Sequence, residues 1–159
     1  MKIPMVMATA LALCISLPSA ATSSEHIHAG KTDIRAFFQA YLATGNDAVP
    51  SVQLPAIWIY SPAGHLVARI DSPTALDAVE GIMATPDAPA ISTMRLAEMI
   101  GLMNRLGVDT GAGPDGSWTW LLLRSNACSQ KCQPFHASIR SVQARHPGAI
   151  RAIDLAFTR

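Results

Sequence analysis

Charge is scarce in this chain. Asp, Glu, Lys and Arg make up 14% of its 159 residues against 50% apolar residues, which excludes a solvated, disordered polymer and points to one compact domain with a real core. Neither sign is in excess: once Lys2 is set aside the basic residues equal the acidic ones, so the chain lacks the basic field that grips nucleic acid, and no nucleic-acid partner is expected. Long apolar runs are missing too. The stretch Ile3 to Leu17 is too short for the roughly 20 residues that span a bilayer, and no later segment replaces it. Cysteine is rarest of all, with Cys14, Cys128 and Cys132 forming the complete set. A serine, histidine and acid constellation in recognisable context is absent. The glycines of Gly111 to Gly116 (GAGPDG) neither follow a strand nor open a helix, so hydrolase and nucleotide-binding chemistry find no support.

What is present begins with an address. Met1 and Lys2, the apolar stretch, then Pro18, Ser19, Ala20 and Ala21 have the layout of a cleavable secretory signal, with small Ser19 and Ala21 at the two selective positions. The expected organisation is a signal over 1–21, a flexible polar leader over 22–31 and a single domain over 32–159, periplasmic or secreted, with no transmembrane segment in the mature chain. Leu11 to Cys14 only superficially resembles a lipoprotein box, because bulky Leu13 stands where a small residue is needed. Loss of Cys14 with the signal leaves Cys128 and Cys132 as an even pair in a compartment where disulfides persist.

Periodicity then sets out the domain. Ile34, Phe37, Phe38, Tyr41 and Leu42 share one face of a helix over Thr32 to Thr44, with Thr32 as its cap and Gly45 and Asn46 as its stop. Ala56 to Tyr60 and His65 to Ile70 read as a hairpin about the turn Ser61 to Gly64. Helices are expected over Thr74 to Ala84 and, from a Ser92 cap, over Ser92 to Leu106. Trp118 to Arg124 reads as a strand buried on both faces. Phe135, Ile139 and Val142 mark a helix that stops at His146, Pro147 and Gly148, and Ala149 to Phe157 is the last strand. Strand, helix and strand at this spacing predict a parallel crossover. Met83, Met94, Met99 and Met103 fall at helical spacing and are expected as core filler rather than copper ligands. From Trp118 onward come Arg124, Lys131, Arg140, Arg145, Arg151 and Arg159 against Asp154 alone, so the basic end is expected either to pack against the more acidic earlier segment or to supply a positive field that favours thiolate or greets an acidic partner.

The chemistry concentrates in Ala127 to His136 (ACSQKCQPFH). Cysteines four apart on a helix have Cα atoms about 6 Å apart, within disulfide range. Placed after the carboxyl end of a strand, Cys128 would feel the positive end of the following helix, with Lys131 nearby, which favours thiolate. Pro134 is comfortable only in a first helical turn, so the regular helix is expected near Gln133 with both cysteines in an irregular turn before it. Three readings stay open: a structural disulfide, which gains little entropy from so short a loop; a reversible dithiol; and a metal site of Cys128, Cys132 and His136, whose two thiolates and imidazole suit Cu(I) or Zn. His26 and His28 form a second, weaker metal-binding pattern. Asp154 on the last strand could accept a thiol proton or pair with an arginine.

A strand ending in a cysteine pair, then a helix and a strand, resembles the thioredoxin superfamily, and the three-residue spacer of CSQKC is similar to the copper chaperones of the SCO family. Leu54 to Met83 resembles the proline, strand, turn, strand and helix that close thioredoxin-like domains of the periplasmic TlpA and ResA type, with Pro55 matching the family's cis-proline and Gly64 its hairpin glycine. That unit precedes the cysteines here. The resemblance therefore implies an α/β thioredoxin-like sandwich in circularly permuted order, restored by joining Phe157 to Thr32. It implies thiol-disulfide exchange with Cys128 as nucleophile, Cys132 as resolving thiol and Pro55 shaping the surface that receives a cysteine-containing envelope partner, with no cofactor required. Two alternatives accompany it: a Cu(I) metallochaperone or assembly factor for an envelope redox complex, using Cys128, Cys132 and His136, and a structural envelope protein with a static bond. The SCO-type histidine before the hairpin is replaced by Val52, Gln53, Leu54 and Pro55. No Gly-Pro separates the cysteines.

Overall fold

A computed structural model of the chain describes residues 27–45, 53–111 and 115–159. The expected signal, Cys14, His26, Asn46 and part of the GAGPDG loop lie outside the described residues. The fold is α/β: one five-stranded mixed sheet in the order β1-β5-β4-β2-β3, with helices on both faces. Its strands are β1 (Ile27–Asp33), β2 (Ala56–Tyr60), β3 (Leu66–Ile70), β4 (Trp118–Ser125) and β5 (Ile150–Thr158). The helices are α1 (Ile34–Leu42), α2 (Val79–Met83), which continues a 3-10 turn over Pro73–Ala78, α3 (Leu96–Arg105) and α4 (Gln133–Arg145).

β4 is central because its sequence leaves it no wet side. Trp118 to Leu123 are all buried, and the strand pairs parallel with β5 and antiparallel with β2. Its odd-numbered Leu121 and Leu123 join Trp58, Ile153, Leu155 and residues of α1 and α3 in one core layer. The even-numbered Trp120 and Leu122 join Ile57, Ile59, Ala152 and Phe135, Ile139 and Val142 of α4 in the other. Full burial of each such side chain stabilises the fold by about 1.5–3 kcal/mol, so two filled layers rather than any single contact hold the sheet. Met94, Met99 and Met103 are fully buried and Met83 packs partly against the second layer, as the core reading expects. The α4-to-α2 packing carries an Arg145 to Glu80 ion pair at 2.7 Å, linking the basic end to an earlier acidic residue. Both partners are exposed, so the pair contributes little stability.

The hairpin turns where expected. Gly64 adopts φ 79°, donating its N–H to the Ser61 carbonyl while Ser61 donates to that of His65. That left-handed geometry costs glycine no side-chain clash.

Two expectations require correction. Residues 27–31, expected in a flexible leader, belong to β1, which runs parallel to β5 from Ile27↔Ala152 to Asp33↔Thr158. Thr32, expected as the helix cap, is within this strand. Asp33 caps α1, its carboxylate accepting the Ala36 N–H at 2.9 Å. The second correction concerns α3, which starts at Leu96 rather than after Ser92. Ser92 accepts the Met94 N–H, whereas the Arg95 N–H is bonded by Glu98 at 3.0 Å, the reach-back half of a capping box. Residues 91–95 instead lie against the start of β3, with Ile91 donating to the Leu66 carbonyl and Arg95 bridged to His65.

β1 also explains a glycine. A Cβ on Gly30 would overlap Cγ1 of Val108, well inside van der Waals contact, because the loop after α3 lies directly on the strand. Gly30→Val should lower stability by about 1–3 kcal/mol through overpacking, read as a shifted urea midpoint. Val108→Ala in the same chain should restore part of the loss; an unchanged midpoint for Gly30→Val would show that the loop yields freely.

Candidate functional site

The site forms where β4 and β5 end and α4 begins. β4 stops at Ser125, and the chain turns at once: Asn126 donates its N–H to the Phe157 carbonyl at 2.8 Å, Cys128 donates to that of Ser125 at 3.0 Å, and the Ser125 hydroxyl accepts from Ala127. Ser125 thus converts an extended strand into a turn that lifts the next residues over the sheet edge. A 3-10 turn over Gln130–Cys132 follows, and α4 begins at Gln133 with Pro134 in its first turn, where a missing N–H costs nothing. Both cysteines therefore precede the regular helix, as the proline dictates.

Cys128 and Cys132 are joined in a disulfide with Cα atoms 5.9 Å apart. Their surroundings differ sharply. Cys132 is 1% exposed and stands at the N-cap of α4, whereas Cys128 is part-exposed in a turn whose neighbours Ala127, Ser129, Gln130 and Lys131 are all exposed. The sequence places Cys128 at the positive helix end; the structure gives that position to Cys132. Of the two, Cys128 is the residue open to solvent.

Beneath the first turn of α4 lies a polar group that the sequence treats only in pieces. Arg124, near the end of β4, donates Nε–H to Asp154 Oδ1 of β5 at 2.7 Å. The carboxylate is nearly buried, with 8% of its side chain exposed against 20% for Arg124. His136 of α4 approaches from above, its Nε2 3.7 Å from Asp154 Oδ2, too long for a hydrogen bond but close enough for a protonated ring to feel the carboxylate. His136 thus faces Asp154. Among the described residues, no three His, Cys, Asp or Glu side chains converge to hold a metal, so Cys128, Cys132 and His136 are not assembled as one ligand set. Asp154 is paired with an arginine, and it is buried rather than on an exposed strand face.

Pro55 stands at the same end of the sheet. It precedes Ala56, which pairs with Leu123 of β4, and the Leu54–Pro55 peptide is cis, as the resemblance implies. Pro55 itself is buried. The partner of Asp154 was the residue that sequence reasoning missed: Arg124 appears there only as one member of a basic tail. A register placing the two strand ends side by side would have found it, since Leu122 is opposite Asp154 and Arg124, two residues on, shares the face of Leu122.

Removing one member of this pair tests its grip. Arg124→Met strands a nearly buried carboxylate and should cost about 1–3 kcal/mol, less than a fully buried pair because Arg124 is partly solvated. Adding Asp154→Leu should recover most of that loss in urea denaturation; a double variant losing the sum of the single effects would show that the two side chains are not coupled. No protein-family model matches the chain, and neither a curated protein nor a solved structure is significantly similar to it.

Proposed function

We propose that this protein is an exported thiol-disulfide oxidoreductase, with a thioredoxin-like core in permuted order, that acts through Cys128 and Cys132. The observation that carries the reading is the asymmetry of the pair: an accessible sulfur bonded to a buried one at the start of a helix, beyond the end of a strand buried on both faces. Sites in such sheets gather at the carboxyl ends of parallel strands, and β4 and β5 both end here. The antiparallel β2–β3 hairpin lies against β4, bringing Pro55 to the same end. Thr32 and Phe157, the points at which the permuted order would be rejoined, are register partners on β1 and β5. Their adjacency is what a permutation requires. Export rests on the layout of Met1 to Ala21.

In the oxidised form, a partner thiolate attacks Cys128 Sγ. The new sulfur-sulfur bond forms as the Cys128–Cys132 bond breaks, and Cys132 leaves as a thiolate. Its charge develops at the N-terminus of α4, where free N–H groups and the helix dipole stabilise an anion, and a better-stabilised leaving thiolate departs faster. A second partner thiolate then attacks the partner sulfur of the mixed disulfide. Cys128 is released, the partner becomes a disulfide, and two electrons and two protons have passed to this protein. Reversal gives the reductive direction, with Cys128 as nucleophile and Cys132 as the resolving thiol.

Mass spectrometry of the mature protein across a graded dithiol buffer tests the reading. The pair should open and close reversibly, Cys132→Ser should accumulate a mixed disulfide through Cys128, and Cys128→Ser should abolish transfer. Full transfer by Cys128→Ser would remove the assigned nucleophile. A bond that stays closed in strong reductant would leave a static staple, and stoichiometric Cu(I) uptake by the reduced pair would favour the metallochaperone alternative.

A further inference from the structure

A groove of about 450 Å³ runs between α4 and the 3-10 turn that leads into α2. Its α4 wall is one helical face, from Pro134 through Ser138 and Ser141 to Arg145, and the facing wall carries Leu76, Asp77 and Glu80. Between Pro134 and Arg145 the helix rises about 16 Å, the length of roughly five extended residues. Arg145 marks the far end. Pro134 marks the near one, two residues after Cys132 at the N-cap of α4.

The near end is close to the disulfide. The cysteine Cα atoms are 5.9 Å apart, and two peptide steps of about 3.8 Å each separate Cys132 from Pro134, so the Cα atoms of Cys128 and Pro134 lie within about 14 Å of each other. An extended chain covers that span in about four residues. Ser129, Gln130, Lys131 and Gln133 are all exposed, so the way from one to the other crosses open surface. Three charged side chains line the groove. Glu80 and Arg145 compensate each other at 2.7 Å, and Arg145 also donates to the Ser141 hydroxyl. Asp77 is exposed, and its carboxylate has no ion-pair or hydrogen-bond partner among the described residues. The groove therefore carries one uncompensated negative charge.

We propose that this groove receives an extended segment of the protein that exchanges disulfides with Cys128, entering it about four residues from the partner's reactive cysteine and pairing a Lys or Arg with Asp77. The proposal rests on the redox reading of the cysteines and adds a specificity to it. The charge sign follows from Asp77, and Leu76 and Ala137 supply apolar surface for the methylene stem of a long basic side chain. A lone exposed carboxylate holds a free cation only weakly. A chain already tethered through a mixed disulfide makes the same contact within one molecule, at a high effective concentration, so the groove suits a tethered segment better than a diffusing ligand. Asp77 selects the partner and does not touch the reacting sulfurs.

Reaction of the reduced mature protein with short synthetic peptides tests the assignment. Each peptide has one cysteine, at either end, carrying a nitrothiobenzoate leaving group, and one Lys or one Glu placed about five to nine residues along an otherwise neutral chain. Mercaptoethanol with the same leaving group is the control without a chain. Cys128 thiolate attacks the peptide sulfur, coloured nitrothiobenzoate thiolate leaves, and Cys132 then displaces the peptide thiol as the disulfide closes. The best Lys peptide should react about threefold to fivefold faster than its Glu counterpart at low salt, and the preference should shrink as salt is added. Asp77→Lys should reverse the order and leave the control rate unchanged, whereas Asp87→Lys, an exposed site outside the groove, should preserve it. Ala137→Trp fills the groove from an exposed helical position and should slow the peptides but not the control. Equal rates for every Lys and Glu peptide, or a preference that Asp77→Lys leaves in place, would overturn the groove as the docking site. A protein that reacts with neither peptides nor control would remove the redox reading, and this proposal with it.

Discussion

Burial of β4 on both faces constrains everything around it. A strand with apolar side chains above and below needs a helix layer on each side and a neighbour along each edge, since its backbone N–H and C=O groups have no water to turn to. The chain meets the first requirement with α1 and α3 on one face and α4 on the other. It meets the second with β5, reached by a parallel crossover, and β2, which arrives from a hairpin far earlier in sequence. The crossover that β4 demands is also what carries the cysteines over the sheet edge and delivers Cys132 to the start of α4. Fold and candidate chemistry thus share one cause.

Two charged groups of this molecule sit where strands end or at the edge of the sheet. Arg124 and Asp154 meet at the carboxyl ends of β4 and β5 on the α4 face, and Arg69 lies on the edge strand β3. The Arg124–Asp154 pair is matched charge against charge, which fixes the relative ends of two parallel strands beneath the first turn of α4. Such a pair adds less to total stability than apolar packing of the same volume would, because desolvation offsets much of the attraction. Its effect is one of placement. Arg69 is the contrasting case: its guanidinium lies over the Trp58 ring, with Nε and Nη2 buried and without a hydrogen-bond partner.

The elements that could be read from sequence were those whose own residues report their surroundings. AIWIY and WTWLLLR are too apolar and too short to be anything but buried strands, and Pro134 dates the start of α4 to within a turn. The contrast between Cys128 and Cys132 was legible in kind, though the helix cap fell to Cys132. β1 was not legible. IHAGKTD combines a glycine with charged and polar residues of poor strand propensity, and it is a strand because β5 offers it a parallel edge and Val108 requires a bare Cα at Gly30. Arg124 with Asp154, and Arg69 over Trp58, were hidden for a related reason: periodicity tells which face a residue occupies, whereas such pairs depend on cross-strand register. Arg69 did carry a signal, a lone charge within the apolar run LVARI.

The pairing of β1 with β5 ties Ile27 to Ala152 and Asp33 to Thr158, so the first strand finds its only strand neighbour among the described residues at the far end of the chain. Synthesis runs from the N-terminus, and closing so long a loop carries a large entropic cost before any contact repays it. Strand β4 meets the same delay, since its parallel partner is also β5. A ribosome that has released all but the last helical segment and strand therefore holds a chain in which β2, β3 and β4 can pair but β1 still waits for β5, and the full sheet closes only when translation is essentially complete.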